Sequence, residues 1–165
     1  MTNYEIRTVK SDNDIMGISG CAYITWHNAY DELLPKGQVD YMIKKYQSFD
    51  VIKQDILKNG YTYYIAESNN KIIAFCGIKP ELDKLFISKI YVLPKWQRHG
   101  IASSLFQTVV SDFATKYNTF YLTVNKNNTK AISVYKSFGF DITDTVVTDI
   151  GGGYVMDDYI MEYTV

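Results

Sequence analysis

The sequence predicts an α/β (α+β) protein in which a mixed central sheet carries helices on its faces. Three observations lead there. The 165 residues amount to one ordinary domain with enough chain to bury a core. The composition, 47% hydrophobic and 21% charged, is that of a soluble globular protein rather than a disordered one. Apolar periodicity switches between helical and strand spacing in the order strand, helices, strand meander, helix, strand, helix, strands.

Tyr4–Val9 alternates as a short strand, and Ser11 with Asp14 three residues on is a helix-entry signal. Ile15, Ile18, Ala22, Trp26 and Ala29 then recur at helical spacing, in a helix that should end before Pro35. Gln38–Lys45 is a second helix. A third runs from Asp50, the expected N-cap, to Gly60 at its C-terminal end. Tyr61–Ala66 and Lys71–Ile78 are rich in β-branched and aromatic residues and read as a hairpin, with Leu85–Leu93 as the next strand. Ile101, Leu105, Val109 and Phe113 mark a strong amphipathic helix. Thr119–Val124 is a strand and Asn128–Ser137 a short helix, and Phe140–Ile150 and Gly153–Tyr163 are two closing strands. No linker or repeat divides the chain, so residues 1–165 are expected to form a single domain.

Several functions are disfavoured at this level. A net charge of −1 and a pI near 6.1 argue against a nucleic-acid binder. Cys21 and Cys76 stand far apart and, with only two histidines, compose neither a metal site nor a disulfide scaffold. The first residues lack the apolar core of a signal peptide, and no apolar run reaches membrane-span length, so a cytoplasmic, reducing compartment is expected.

The informative stretch is Gln97-Arg98-His99-Gly100-Ile101-Ala102, between a strand and an amphipathic helix. A helix start presents unpaired N–H groups and the positive end of the helix dipole, and Gly100 and Ala102 allow close approach of a phosphate. Lys95, Arg98 and His99 add charge; a plain glycine turn with solvated basic residues is the alternative. In the later run, Asn128 can cap the short helix, Ala131 keeps one face slim and Tyr135 lies a turn further along. Core packing is the commonest fate of such a tyrosine.

Gln97-x-x-Gly100-x-Ala102 after the strand Leu85–Leu93, followed by Asn128-x-x-Ala131-x-x-x-Tyr135-x-x-x-Gly139-Phe140, resembles the GNAT acetyltransferase superfamily. The resemblance covers the whole chain. The segments around Trp26, Tyr30 and Pro35 and the tail from Gly153 resemble the bacterial branch that includes polyamine acetyltransferases.

The resemblance implies a mostly antiparallel sheet of six to seven strands, with acetyl-CoA in a cleft where the strands Leu85–Leu93 and Thr119–Val124 splay apart. It implies that backbone amides of Arg98, His99, Gly100, Ile101, Ala102 and Ser103, after Gln97, hold the pyrophosphate. Main-chain groups of Ile90, Tyr91 and Val92 would pair with the pantetheine arm. Asn128 and Ala131 would flank it, the Val92 amide would polarise the thioester, and Tyr135 would protonate the leaving sulfur. No metal is implied. The implied reaction is acetyl transfer to a small polyamine-like or peptide amine, in a possible homodimer; the rival is a non-catalytic acetyl-CoA-binding module acting through a protein partner. The carboxylate that many family members carry on the strand before the pyrophosphate loop is missing, since Ile87-Ser88-Lys89-Ile90 holds none, so the base is unassigned. From Asp141 onward the chain has six acids and no Lys or Arg, a bias suited to a cationic acceptor and equally to solvated loop and strand surface. Trp26, Tyr30 and Asp157 are the candidate acceptor contacts; helix packing serves Trp26 equally well. Asp157 and Asp158 are adjacent in a strand, face opposite ways, and cannot work as a pair.

Overall fold

The computed structural model describes residues 3–165; residues 1 and 2, which open the stretch read above for a signal peptide, lie outside the described residues. The elements follow the expected order: β1 (Glu5–Thr8), α1 (Asp12–Tyr30), α2 (Gln38–Tyr46), α3 (Phe49–Lys58), β2 (Thr62–Ser68), β3 (Lys71–Pro80), β4 (Leu85–Val92), α4 (Ile101–Phe113), β5 (Thr119–Asn125), α5 (Thr129–Ser137), β6 (Asp141–Gly151) and β7 (Tyr154–Thr164). The seven strands form one sheet in the order β1-β2-β3-β4-β5-β7-β6, antiparallel throughout except for β4 beside β5.

Both faces of the sheet centre are covered, and the pleat sorts the side chains accordingly. Along β2 and β3, Tyr64, Ala66, Ala74 and Cys76 pack towards Ile101, Leu105 and Val109 of α4. Their alternating neighbours Tyr63, Ile65 and Phe75 pack on Ile18, Ala22 and Ile52 of α1 and α3. A third cluster joins Trp26 and Tyr30 of α1 to Val39 and Met42 of α2 and Ile150 of β6. Each fully buried aliphatic of this kind contributes about 1.5–3 kcal/mol.

Ser11 caps α1, its side chain accepting from the Asp14 N–H. The expected cap of the third helix is corrected. Ser48, not Asp50, accepts from Val51 N–H, and Asp50 falls in the first turn, where its charge still suits the dipole. The triple glycine after Ile150 is not a free turn. All three residues have positive φ, and a Cβ on Gly151 would meet the Tyr41 hydroxyl at 2.6 Å and one on Gly152 the Tyr41 ring at 2.9 Å. The Tyr41 hydroxyl donates to the Ile150 carbonyl at 2.7 Å, pinning the β6–β7 hairpin to α2.

Two irregularities shape the site. The β3–β4 register passes from Gly77↔Lys89 to Ile78↔Ile87, so Ser88 bulges out of the ladder. And β4 pairs with β5 only at Leu85↔Phe120 and Phe86↔Tyr121, after which the parallel strands part.

Candidate active site

Where β4 and β5 part, a cavity of about 410 Å³ opens, lined by Ile90, Tyr91 and Val92 on one side and by Thr123, Val124, Asn128, Ala131 and Tyr135 on the other. The free edge of β4 faces it. Leu93 N–H donates to the Ile73 carbonyl at 2.9 Å, and in an antiparallel ladder hydrogen-bonded and non-bonded pairs alternate. Tyr91 is therefore bonded to β3, whereas Ile90 and Val92 turn their N–H and C=O groups towards the cleft. The Val92 carbonyl accepts from Gln97 Nε2 at 3.3 Å, and Gln97 Oε1 accepts from Lys130 Nζ at 3.0 Å. Gln97 thus ties the end of β4 to the start of α5 across the neck of the cleft.

At that neck a smaller hollow of about 200 Å³ is lined by Arg98, Gly100, Ile101, Ala102 and Ser103. Arg98 and Gly100 both have positive φ, +65° and +77°, and the space over the Gly100 α-carbon is open. The φ at Arg98 is disfavoured for a side chain by about 1–2 kcal/mol. Among the described residues, no carbonyl accepts from the N–H of Arg98, Gly100, Ile101, Ala102 or Ser103. This is a concave array of bare amides at a helix start, fit for an anion. The Ile101 side chain is buried beneath α4, leaving only its amide to the hollow, and His99 lies outside with its ring edge-on to Trp96.

Asn128 caps α5, its side chain accepting from Ala131 N–H at 3.2 Å. Tyr135 packs edge-on to Phe138 and Phe140, and burial raises its phenol pKa well above the ordinary range.

Beyond Tyr30, Tyr91 and Thr123, which line both spaces, the cleft continues into a second cavity of about 570 Å³. The Tyr30 and Tyr91 hydroxyls are 2.8 Å apart, and burial raises both pKa values. Trp26, Met42, Phe86 and Met156 supply apolar wall. Two buried ionisable groups face this cavity. Lys89 donates to Tyr63 Oη at 2.7 Å and to the Tyr46 carbonyl at 3.1 Å, and burial lowers its pKa to about 8. Asp158 is pushed up to about 6 by burial and by Asp157.

The candidate contacts from the sequence divide. Trp26 and Tyr30 line the second cavity; Trp26 is also core, tilted on Tyr91 at 5.6 Å with its indole N–H unpaired. Asp157 does not line it. Its side chain is half exposed and pairs with Lys126 at 2.9 Å, because the pleat of β7 turns it outward and turns Asp158 in. Reasoning from sequence passed over Asp158, the Tyr91 hydroxyl and the inward reach of Lys89. The alternation in β7 was visible, but which of the two acids points inward depends on the Val146↔Asp158↔Asn125 register. Among the described residues no cluster of His, Cys, Asp or Glu could hold a metal, both cysteines are free and buried, and no helix is long and apolar enough to cross a membrane.

A family model described as "Acetyltransferase (GNAT) family" matches residues 10–140. The chain belongs to the GNAT acetyltransferase family. Among curated proteins, this GNAT chain is 29% identical over 82 residues to the ribosomal protein bS18-alanine N-acetyltransferase of Escherichia coli, covering 49% of this chain and 55% of that protein. It is 37% identical over 65 residues to the probable N-acetyltransferase san of Drosophila melanogaster, covering 38% and 35%. The matches thus span about half or less of those relatives. Among solved structures, the PaiA N-acetyltransferase of Thermoplasma acidophilum in complex with coenzyme A shares the fold, with a TM-score of 0.86 at 21% identity over 99% of this chain and 100% of that one. The bS18-alanine enzyme of Escherichia coli superposes with a TM-score of 0.72 at 19% identity, covering 99% and 94%.

Proposed function

We propose that residues 1–165 work as one acetyltransferase domain that moves an acetyl group from acetyl-CoA to a primary amine, of the small polyamine-like or peptide kind. One observation carries this reading: three adjoining spaces that share wall residues line up, from the bare amides at the start of α4, along the open edge of β4 and past Tyr135, to a walled cavity on the far side of Tyr30 and Tyr91. Bound acetyl-CoA supplies an acyl group activated by a thiol leaving group. The residues fit it. The amides of Gly100, Ile101, Ala102 and Ser103, with Arg98 beside them, hold the diphosphate. The outward N–H of Val92 donates to the acyl oxygen as charge gathers there, a kind of contact worth about 3 kcal/mol in related chemistry. Burial keeps Tyr135 protonated across the physiological range and makes it a weaker acid than a free phenol, so it works as a relay: it gives its proton to the departing sulfur as the C–S bond breaks and is reprotonated by the proton that the nitrogen sheds as the amide forms.

The relatives support an amine acceptor: the name of one states a protein alanine as its substrate, and the PaiA structure holds coenzyme A. The aromatic, acid-bearing cavity supports a cationic amine on an apolar body. A homodimer belongs to the same reading. The exposed Ile142, Val147 and Val155 on the outer β6–β7 hairpin support it, and sedimentation at micromolar concentration tests it.

The deciding experiment measures thiol release from acetyl-CoA across a panel of polyamines, aminated aromatics and peptides. Amine-dependent release supports the enzyme; calorimetric binding of coenzyme A with no release from any amine supports the non-catalytic module instead. Gly100→Glu should abolish the heat of coenzyme A binding, since it sets a carboxylate where the diphosphate belongs and forces a side chain onto a positive φ. Tyr135→Phe should leave that heat unchanged and lower turnover about 100-fold; unchanged turnover would remove Tyr135 from the acid role.

A further inference from the structure

The acetyltransferase reading leaves a proton unaccounted for. An aliphatic amine is mostly ammonium at neutral pH, without the lone pair needed at an acyl carbon, and the carboxylate expected on β4 is replaced by the bulged Ser88 and the buried Lys89. The second cavity holds a carboxylate placed elsewhere. Asp158 is 5% exposed, comes from β7, and lines the cavity. Among the described residues, no donor or cation pairs with its oxygens; Lys126, on β5's outgoing loop, is the cation that acts on it, and its ammonium is paired with Asp157. The Asp158 oxygens are not among the fully buried, unpartnered atoms, so they open onto the cavity: a carboxylate largely withdrawn from solvent yet facing a space that a ligand can enter is placed to exchange a proton.

Its surroundings locate it. Tyr30 of α1 and Tyr91 of β4, which divide this cavity from the coenzyme cleft, both feel its charge. On neighbouring strands its backbone partners are Asn125 and Val146, and Asp157 and Lys126 are the other charges acting on it. The remaining ionisable residues on the wall, Lys45, Tyr46, Asp55, Tyr61 and Lys89, come from α2, α3 and the β2–β4 side. Of these, Lys89 is occupied with Tyr63, Tyr46 and, at 3.9 Å, Asp55. Asp158 therefore stands by the Tyr30–Tyr91 partition, and Lys89 belongs to the α2–α3 end.

We propose, on the basis of the acetyltransferase reading above, that Asp158 is the base that deprotonates the acceptor amine. The carboxylate accepts a hydrogen bond from the docked ammonium. One N–H bond breaks with its electron pair remaining on nitrogen, and an O–H bond forms on Asp158. The neutral amine then has its lone pair for the acyl carbon, and Asp158 returns the proton to solvent once the product leaves. With its carboxyl near 6, Asp158 is mainly ionised at pH 7 yet takes a proton far more readily than an exposed aspartate. The acceptor this fits is a cationic amine whose carbon body lies against Trp26, Met42 and Met156.

Asp158→Asn keeps the shape and removes the base. Its amine-dependent turnover at pH 7 should fall about 100- to 1000-fold, with the heat of coenzyme A binding unchanged. The acid limb of the wild-type kcat profile near pH 6 should vanish, and the residual rate should climb about tenfold per pH unit as free amine accumulates. Carboxyl ¹³C NMR of the enzyme alone should show one resonance titrating near pH 6, absent from the variant. Turnover within threefold of wild type, a persisting acid limb, or a raised KM at unchanged kcat would overturn the assignment while leaving the acetyltransferase reading intact. Wild-type enzyme that binds coenzyme A and acetylates no amine would sink both. If Asp158→Asn does not fold, the wild-type NMR titration and acid limb decide: no carboxyl titrating near 6 overturns the proposal, and Asp158→Glu should retain the limb.

Discussion

Asp14 and Asp158 are buried to nearly the same depth, 8% and 5% exposed, yet their surroundings act on them in opposite directions. Asp14 sits at the β1–α1 corner with Arg7 Nη1 and Nη2 donating at 2.8 and 2.9 Å and the Lys10 N–H at 2.8 Å, and Arg7 holds its carboxyl down to about 2. Asp158 faces a cavity with no donor on its oxygens among the described residues, and burial pushes it up to about 6. Burial alone does not decide what a carboxylate is for. A buried acid with its partners in place closes a structural joint, whereas one left without partners beside an open space is poised to exchange a proton.

The largest effect should come from breaking the satisfied site. Asp14→Ala leaves the Arg7 guanidinium without its main partner and the start of α1 without a bond to Lys10, and should cost about 3 kcal/mol in urea unfolding at pH 7. A loss under about 1 kcal/mol would erase the contrast. The opposite sign is expected at the other site. Asp158→Asn removes a charge that folding must bury, and should stabilise the protein by about 2 kcal/mol at pH 7 even as turnover falls.

That gain depends on pH in a defined way. The folded carboxyl of Asp158 lies above its unfolded value, so the folded state binds this proton more tightly, and the cost of its charge is full above about 6 and absent below about 4. The advantage of Asp158→Asn should therefore shrink to near zero at pH 4. Asp14 behaves the other way: its contribution is present above about 4 and is lost as pH falls towards 2. Between pH 4 and 2 the wild type should lose about 1 kcal/mol more than Asp14→Ala, the smallest effect in this set.

Much of this architecture was legible beforehand. The elements follow apolar periodicity, and Ser11 begins α1 where a short hydroxyl precedes an acid by three residues. Gly100 marks the α4 start because only glycine takes positive φ without strain, although Arg98 beside it takes one too and nothing in its residue type announces that. At the start of α3 the sequence offers a local choice, since Ser48 and Asp50 are both competent caps, and the packing of Phe49 and Ile52 onto α1 sets the boundary at Ser48.

The sequence by itself determined the elements, the seven-strand order of events along the chain, and the helix start whose amides suit a diphosphate, because these follow from side-chain period and backbone conformation within a few residues. Only the tertiary structure decided where β4 leaves β5, which of Asp157 and Asp158 looks inward, and that Tyr30 and Tyr91 meet at 2.8 Å. Those are matters of register and of contacts between residues distant in sequence, 61 positions for Tyr30 and Tyr91. A carboxylate's pKa, and with it its chemistry, depends on what the distant chain places or fails to place beside it.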